Sequence, residues 1–250
     1  MSFVPGFMFG SGGRWSPLQK SPYLDLIGDT GYLTTGTGGV VTWEDLSPQD
    51  TNPTQSDSAY RPDYNATGWS GSQSTVDFSA SPYLSATAGA TIITALSGTD
   101  VPFTMLATLD PDAVKDMTIC AWDSTTGNAY SICRFDSPDG INLQLRYDRR
   151  DDGGGAAVIT NTPGTTGSGH LRLAIVFDGS SVALYVGGAL AASAACNVGA
   201  CTFDRFRVGT GPGAIDALEG KVKHLDVSSV AYTAADVALY QTWSVATFGS

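Results

Sequence analysis

Carboxylates dominate the chemistry that this chain could offer, with 24 Asp and Glu against 13 Lys and Arg and a formal net charge of -11 over 250 residues. Only Glu44 and Glu219 are glutamates. Neither belongs to a strand with acids at alternate positions, the placement that would hold two carboxyl groups about 5–10 Å apart to cleave a glycosidic bond. Acid–base hydrolysis is therefore not the expected chemistry. Asp148, Asp151 and Asp152 crowd next to Gly153-Gly154-Gly155. Several oxygens on pliable backbone suit Ca2+, although the spacing matches no EF-hand; the alternative is a solvated acidic loop, partly neutralised by Arg149 and Arg150. His170 and His224 lie far apart with no Cys or His at ligand spacing, so zinc is not expected and both read as sheet residues. The run from Gly209 to Gly213 lacks a following helix and lysine, which makes it a turn rather than a phosphate cradle.

Two pairs of cysteines are close enough in sequence to react. Cys120 and Cys133 flank a segment centred between Thr126 and Gly127. A two-residue loop there would set them opposite each other at a non-hydrogen-bonded position, with Cα atoms about 4.5 Å apart. Cys196 and Cys201 close a shorter loop. Both pairs could bridge in an oxidising setting; equally, all four could be reduced, half-buried thiols that pack as small hydrophobes.

A sugar ring presents both C–H and O–H surface, so recognising one calls for flat aromatic faces beside hydrogen-bonding side chains. Tyr60, Tyr64 and Trp69 fall in a polar loop region, and Arg146 and Tyr147 end a strand in which Asn142 and Gln144 alternate with Leu143 and Leu145. That alternation predicts one shared face for Asn142, Gln144 and Arg146, forming either a polar groove or a merely solvated sheet surface. Trp43, Trp122 and Trp243 are assigned to the core.

Such groups must be positioned by strands. From Leu171 to Ala195 apolar residues alternate at period two and are broken by Asp178-Gly179 and Gly187-Gly188, which predicts a three-stranded antiparallel meander with tight turns. Strand character recurs at 23–27, 40–43, 76–78, 83–85, 103–109, 117–122, 130–135, 141–147, 156–160, 203–208 and 221–227, and the stretch from Glu44 to Ala59 reads as a long surface loop. Thr233 is placed to cap one short C-terminal helix, Ala234 to Trp243, whose Val237, Tyr240 and Trp243 should pack on the sheets. The expected architecture is all-β, a two-sheet antiparallel sandwich over residues 21–250, preceded by an arm, residues 1–20, that suggests attachment to a partner. A net negative charge disfavours nucleic acid and anionic membranes. No apolar run is long enough for a transmembrane helix, and no signal peptide is visible.

The ordered set Trp43-Glu44-Asp45-Leu46-Ser47, Arg61-Pro62-Asp63-Tyr64, Val76-Asp77-Phe78, Phe177-Asp178-Gly179-Ser180-Ser181 and Leu184-Tyr185-Val186-Gly187-Gly188 resembles the laminin-G-like, concanavalin A-like lectin and glucanase superfamily, in the branch found in phage and bacterial surface proteins. The resemblance implies a jelly-roll fold. The Glu-x-Asp-x-x-Glu strand of that superfamily's laminarinase-type hydrolases does not occur here. The resemblance therefore implies a non-catalytic module that binds a surface glycan or polysaccharide, on a virion as a fibre, spike or decoration protein, or on a bacterial surface. A homo-oligomer and contacts to other virion or surface proteins through residues 1–20 would fit that setting. The alternatives are a purely structural virion protein and a glycan-cleaving enzyme.

Overall fold

The computed structural model describes residues 16–249 apart from 21, 23, 70–72, 80–81, 88–89, 161–168 and 215. In chain order its strands are β1 (Leu24–Ile27), β2 (Leu33–Gly36), β3 (Gly39–Trp43), β4 (Asp63–Trp69), β5 (Gln73–Asp77), β6 (Leu84–Thr87), β7 (Gly98–Thr99), β8 (Phe103–Pro111) and β9 (Met117–Asp123). They continue with β10 (Tyr130–Asp136), β11 (Gln144–Arg150), β12 (Ala156–Thr160), β13 (Leu171–Phe177), β14 (Ser181–Val186), β15 (Ala189–Ala195), β16 (Ala200–Cys201), β17 (Arg205–Val208) and β18 (Gly220–Ser228). Helix α1 (Thr91–Leu96) follows β6, and helix α2 (Ala234–Phe248) comes last.

An eight-stranded sheet runs β15-β14-β13-β8-β18-β5-β4, with β1 also paired to β18, and a six-stranded sheet runs β12-β11-β10-β9-β17-β6. The pairing is antiparallel throughout the described strands, as the alternating pattern predicts. At the first turn of the meander Gly179 has φ of 95°, and at the second Gly187 and Gly188 have 59° and 80°, a region that residues with a Cβ rarely occupy. Asp178 accepts the N–H groups of Ser180 and Ser181 at 2.8 and 2.7 Å. Those two N–H groups, Ser181 first, draw its carboxyl down to about 2.

Between the sheets Phe103, Trp122, Phe177 and Phe206 form a tilted aromatic stack with neighbouring centroids 5.2–6.0 Å apart. Helix α1, which the sequence pattern did not suggest, adds Ile92, Ile93 and Leu96 to this same core.

The two outer faces differ. Helix α2 lies on the outer face of the eight-stranded sheet, where Val237 and Tyr240 join Leu106, Ala174, Val176 and Tyr185 in one buried cluster. Thr233 and Asp236 cap its N-terminus reciprocally, and the helix runs five residues past the expected end at Trp243, to Phe248. Trp69 Nε1 donates to the Phe248 carbonyl at 2.8 Å, and Arg172 donates to that of Gly249. Orphan carbonyls at the helix end are thus met by donors from two strands. Under the helix the Thr108 hydroxyl bonds Tyr240 and Ser244 at 2.8 and 2.7 Å, and His224 Nε2 meets Asp25 at 2.9 Å. Asp226 lies fully buried beside them with neither oxygen hydrogen-bonded.

Two expectations need correction. The strand foreseen at 141–147 begins only at Gln144, because Asp139 captures the N–H groups of Ile141 and Asn142 in a turn. Residues 63–69, foreseen as polar loop, form β4 at the edge of the eight-stranded sheet. Of the arm, residues 1–15 lie outside the described residues, whereas Pro17–Lys20 forms a 3-10 turn and Lys20 pairs with Asp236 of α2 at 2.8 Å. No described helix is long and apolar enough to cross a membrane.

Candidate functional site

The stretch between β3 and β4 is polar, yet almost every group in it is fixed. Trp43, wholly buried, donates from Nε1 to the Ile27 carbonyl at 2.9 Å. Two residues later Asp45 accepts from Asp25 N–H and Ser47 N–H on one oxygen, and from the Ser47 hydroxyl and Thr51 N–H on the other, all within 2.8–2.9 Å. Burial still holds its carboxyl above the usual range against those hydrogen bonds. Asn52 Oδ1 accepts the Asp45 N–H at 2.7 Å, and Asp50 and Asn52 both take positive φ, which their short polar side chains tolerate. Thr54 then exchanges backbone hydrogen bonds with Ser85 at 2.8 and 3.0 Å, extending the six-stranded sheet beyond β6. Arg61 closes the segment by donating to the carbonyls of Gln55, Thr37 and Ser56 at 3.0, 2.7 and 2.6 Å.

This fixed segment contributes Thr51, Asn52, Thr54, Gln55 and Ser56 to the lining of a cleft of about 430 Å3, to which Ser85, Ala86 and Ala90 also belong. Its volume falls in the range of small-molecule sites, and its described lining holds hydroxyls and amides but no ionised group. Gln55 joins the cleft to an aromatic pair: its amide donates to the Tyr83 carbonyl at 3.3 Å, and Tyr83 N–H donates to the Tyr60 carbonyl at 3.0 Å. The Tyr60 and Tyr83 rings lie 5.8 Å apart at 40°, and Tyr60 is 46% exposed.

Beyond β6 the outer face of the six-stranded sheet carries a ladder of ion pairs. Arg205 binds Asp123 through Nε at 2.9 Å, and Arg207 donates to the Gly211 carbonyl at 2.6 Å while lying 3.6 Å from Asp123. Further along, Arg134 meets Asp148 and Asp216 at 3.0 and 2.8 Å, and Arg146 meets Asp136 and Asp148 at 3.1 and 2.8 Å. Each carboxylate in this ladder already has a cationic partner.

The residues singled out from the sequence scatter across this frame. Tyr60 stands beside the cleft. Tyr64 is half-buried on β4 and packs against the core. Trp69 is not a loop aromatic: it is wholly buried, stacked on His170 at 3.8 Å and 13°. Tyr147 is likewise interior, with its hydroxyl on Ser131 at 2.9 Å and its ring 5.6 Å from Phe103, because its strand parity points it between the sheets. Burial pushes its phenol well above the ordinary value. Gln144 and Arg146 share the outer face, but Asn142 precedes β11 and its amide is held by Asp139 at 2.8 Å.

The three aspartates proposed for Ca2+ part company. Asp148 lies within β11 on its arginines, Asp151 accepts Gly155 N–H at 2.6 Å, and Asp152 binds the Thr202 N–H and hydroxyl at 3.1 and 2.8 Å. Among the described residues no group of three His, Cys, Asp or Glu could hold a metal ion.

All four cysteines are buried thiols. Cys120 does face Cys133 in register. However, Ser124 N–H donates to the Ala129 carbonyl at 3.1 Å, so the loop holds four residues and the alternation shifts by one. The pair therefore falls at a hydrogen-bonded position rather than the non-hydrogen-bonded one foreseen. Burial raises the Cys133 thiol well above its ordinary value and that of Cys196 to about 11.

With this geometry the chain can be set against known proteins. A family model described as the concanavalin A-like lectin/glucanases superfamily matches residues 84–238. The chain belongs to that superfamily. Among solved structures, the binding domain of Paraclostridial Mosquitocidal Protein 1 superposes with a TM-score of 0.64 at 12% identity, over 90% of this chain and 52% of that one. The binding domain of botulinum neurotoxin DC, solved in complex with SialylT, gives 0.64 at 12% over the same shares, 90% and 52%. The CBM40 of Ruminococcus gnavus IT-sialidase, bound to α2,3 sialyllactose, gives 0.51 at 12%, over 66% of this chain and 91% of that one. The chain thus spans about half the length of the toxin binding domains that it matches, and at such identities the likeness is one of fold. No curated protein sequence matches the chain. As a member of this superfamily the chain shows two glutamates in unpromising places: Glu44 is exposed, and Glu219 is bound to Lys115. The sequence singled out Tyr60 but missed the cleft itself. Its wall residues are Thr, Asn, Gln and Ser without period, and only the Trp43-x-Asp45-x-Ser47 spacing marks the fixed loop behind them.

Proposed function

We propose that the chain is a non-catalytic carbohydrate-recognition module that takes up part of a surface glycan or polysaccharide in the cleft lined by residues 51–56 together with Ser85, Ala86 and Ala90, with Tyr60 as its aromatic flank. The observation that carries this reading is a cleft of glycan size whose described lining is uncharged and mostly hydroxyl and amide, beside an exposed tyrosine. A wall already held by Asp45 and Arg61 loses little conformational freedom when a ligand arrives, which favours affinity. The Ruminococcus gnavus module, similar in fold and bound to a sialylated sugar, supports the reading. Display on a phage particle or bacterial surface, with residues 1–20 contacting neighbouring proteins, is part of the same proposal and rests on the sequence resemblance.

The test is a glycan array probed with the purified chain and with Ser56→Trp, which fills the cleft from an exposed loop position. Binding by the parent and a loss of at least ten-fold in the variant is the expected result. An absence of binding by the parent would favour a purely structural role, and binding that the variant leaves untouched would place the site elsewhere.

A further inference from the structure

Resting on that reading, we infer that the cleft selects neutral glycans and rejects sialylated, uronic or sulfated ones. An acidic sugar needs a cation, or N–H donors free of other partners, to replace the water around its charge. The described arginines near the cleft all have their donors engaged. Arg207, the register partner of Ser85 in the cleft wall, is 6% exposed, with one nitrogen on the Gly211 carbonyl and another facing Asp123. Its neighbour Arg205 is held by the same carboxylate. Arg61 adjoins the wall at Gln55 and Ser56, with all three of its guanidinium nitrogens donating to backbone carbonyls. Arg150, which has no described ion pair, stands on β11, four strands from β6, a separation on the order of 20 Å.

Negative charge, by contrast, brackets the cleft. Asp50 and Asp57 flank the two ends of the 51–56 wall, and neither has an ion pair among the described residues: Asp50 accepts from Asn52 at 2.5 Å, and Asp57 from Ala59 N–H at 3.0 Å. The whole chain adds a net charge of -11. A carboxylate or sulfate entering here meets a carboxylate at each end of the wall and, among the described residues, a single adjoining cation, Arg61, whose guanidinium nitrogens are already taken up by carbonyls. A neutral ring finds acceptors and donors that match its hydroxyls. The fold is shared with a module bound to sialyllactose; the charge needed for that ligand class is absent from this wall.

The experiment is calorimetric titration with matched pairs of oligosaccharides, neutral galactose-, glucose- and mannose-terminated chains and their sialylated, uronic or sulfated counterparts, at about 50 and 500 mM salt. The expected result is binding of at least one neutral member, at least ten-fold weaker binding of its acidic counterpart, and a gap that narrows at high salt as the repulsion is screened. In Ser56→Lys the acidic counterpart should gain affinity relative to the neutral one. An acidic member that binds the parent as tightly as its neutral twin, or more tightly with affinity falling as salt rises, overturns the selectivity and leaves the recognition reading standing. Binding of neither class overturns both.

Discussion

The eight-stranded sheet gives its outer face to α2, where Leu106, Ala174 and Val176 lie under Val237 and Tyr240, whereas the outer face of the six-stranded sheet carries Arg134, Arg146, Arg205 and Arg207 set against Asp123, Asp136, Asp148 and Asp216. One face is closed by apolar burial, which is non-directional and worth about 25 cal/mol per Å2. The other is closed by charges that satisfy one another. Neither leaves spare valence for a ligand. The cleft proposed for recognition lies instead at the edge beyond β6, where the chain extends the sheet by a single backbone pair at Thr54. In this molecule the sheet faces are closed, and the seam presents an uncharged polar cleft.

The largest expected effect lies on the helix-covered face. Trp69→Ala removes the ring stacked on His170 and the donor that holds the Phe248 carbonyl at the end of α2. Truncating a buried tryptophan costs about 3–5 kcal/mol, and the midpoint of denaturant unfolding should fall accordingly. A variant as stable as the parent but weaker for sugar would return Trp69 to the ligand site and break the distinction between face and seam.

A smaller effect, opposite in sign, is expected at Asp226. Burial first, and then the nearby Asp25 and Asp45, raise its carboxyl well above the usual range, and neither oxygen has a partner. Below about pH 4 folded and unfolded chains both hold that proton. As pH rises the unfolded chain releases it while the folded chain retains it, so the folded state loses stability up to the raised value. Asp226→Asn removes this dependence and should stabilise the protein by on the order of 1–3 kcal/mol at pH 8, with the gain vanishing near pH 4. Asp178, drawn down to about 2, acts in the other direction, and its contribution is lost as pH falls through that value in parent and variant alike. Denaturant titrations between pH 3.5 and 8 separate the two; equal pH slopes in parent and variant would show Asp226 to be ionised or solvated in the fold.

What the sequence made legible follows the same division. Period-two alternation is strong wherever one side of a strand is buried, so the meander from Leu171 to Ala195 and the sandwich were readable from residue type alone. Trp69 and Tyr147 were misread because exposure of an aromatic depends on strand parity and on what covers the sheet. For Trp69 that cover is the end of a helix 179 residues away in sequence. Arg146 and Asp148 were placed on plausible surface, but their pairing with Arg134 and Asp136 depends on the β10–β11 register, which local pattern does not encode. The cleft was least visible of all, because its wall has no period and is shaped by Asp45 and Arg61 gripping backbone groups.

The smallest effect on stability, and the sharpest test of the seam, is Tyr60→Ala. Among the described residues the Tyr60 ring makes one aromatic contact, a tilted one with Tyr83, and the backbone hydrogen bond from Tyr83 N–H to its carbonyl survives truncation. Asp57 still caps the short turn through Ala59 N–H. Stability should therefore change by no more than about 0.5 kcal/mol, as for other surface positions. Affinity for a neutral glycan should fall about five- to ten-fold, the equivalent of one aromatic contact of about 1 kcal/mol, and Tyr60→Phe should recover most of it, since the ring face rather than the hydroxyl makes the contact. Thermal unfolding and glycan titration on the same three proteins read both quantities. Loss of stability without loss of affinity would make Tyr60 one more residue that holds the loop, and the cleft would then have to bind through its hydroxyls and amides alone.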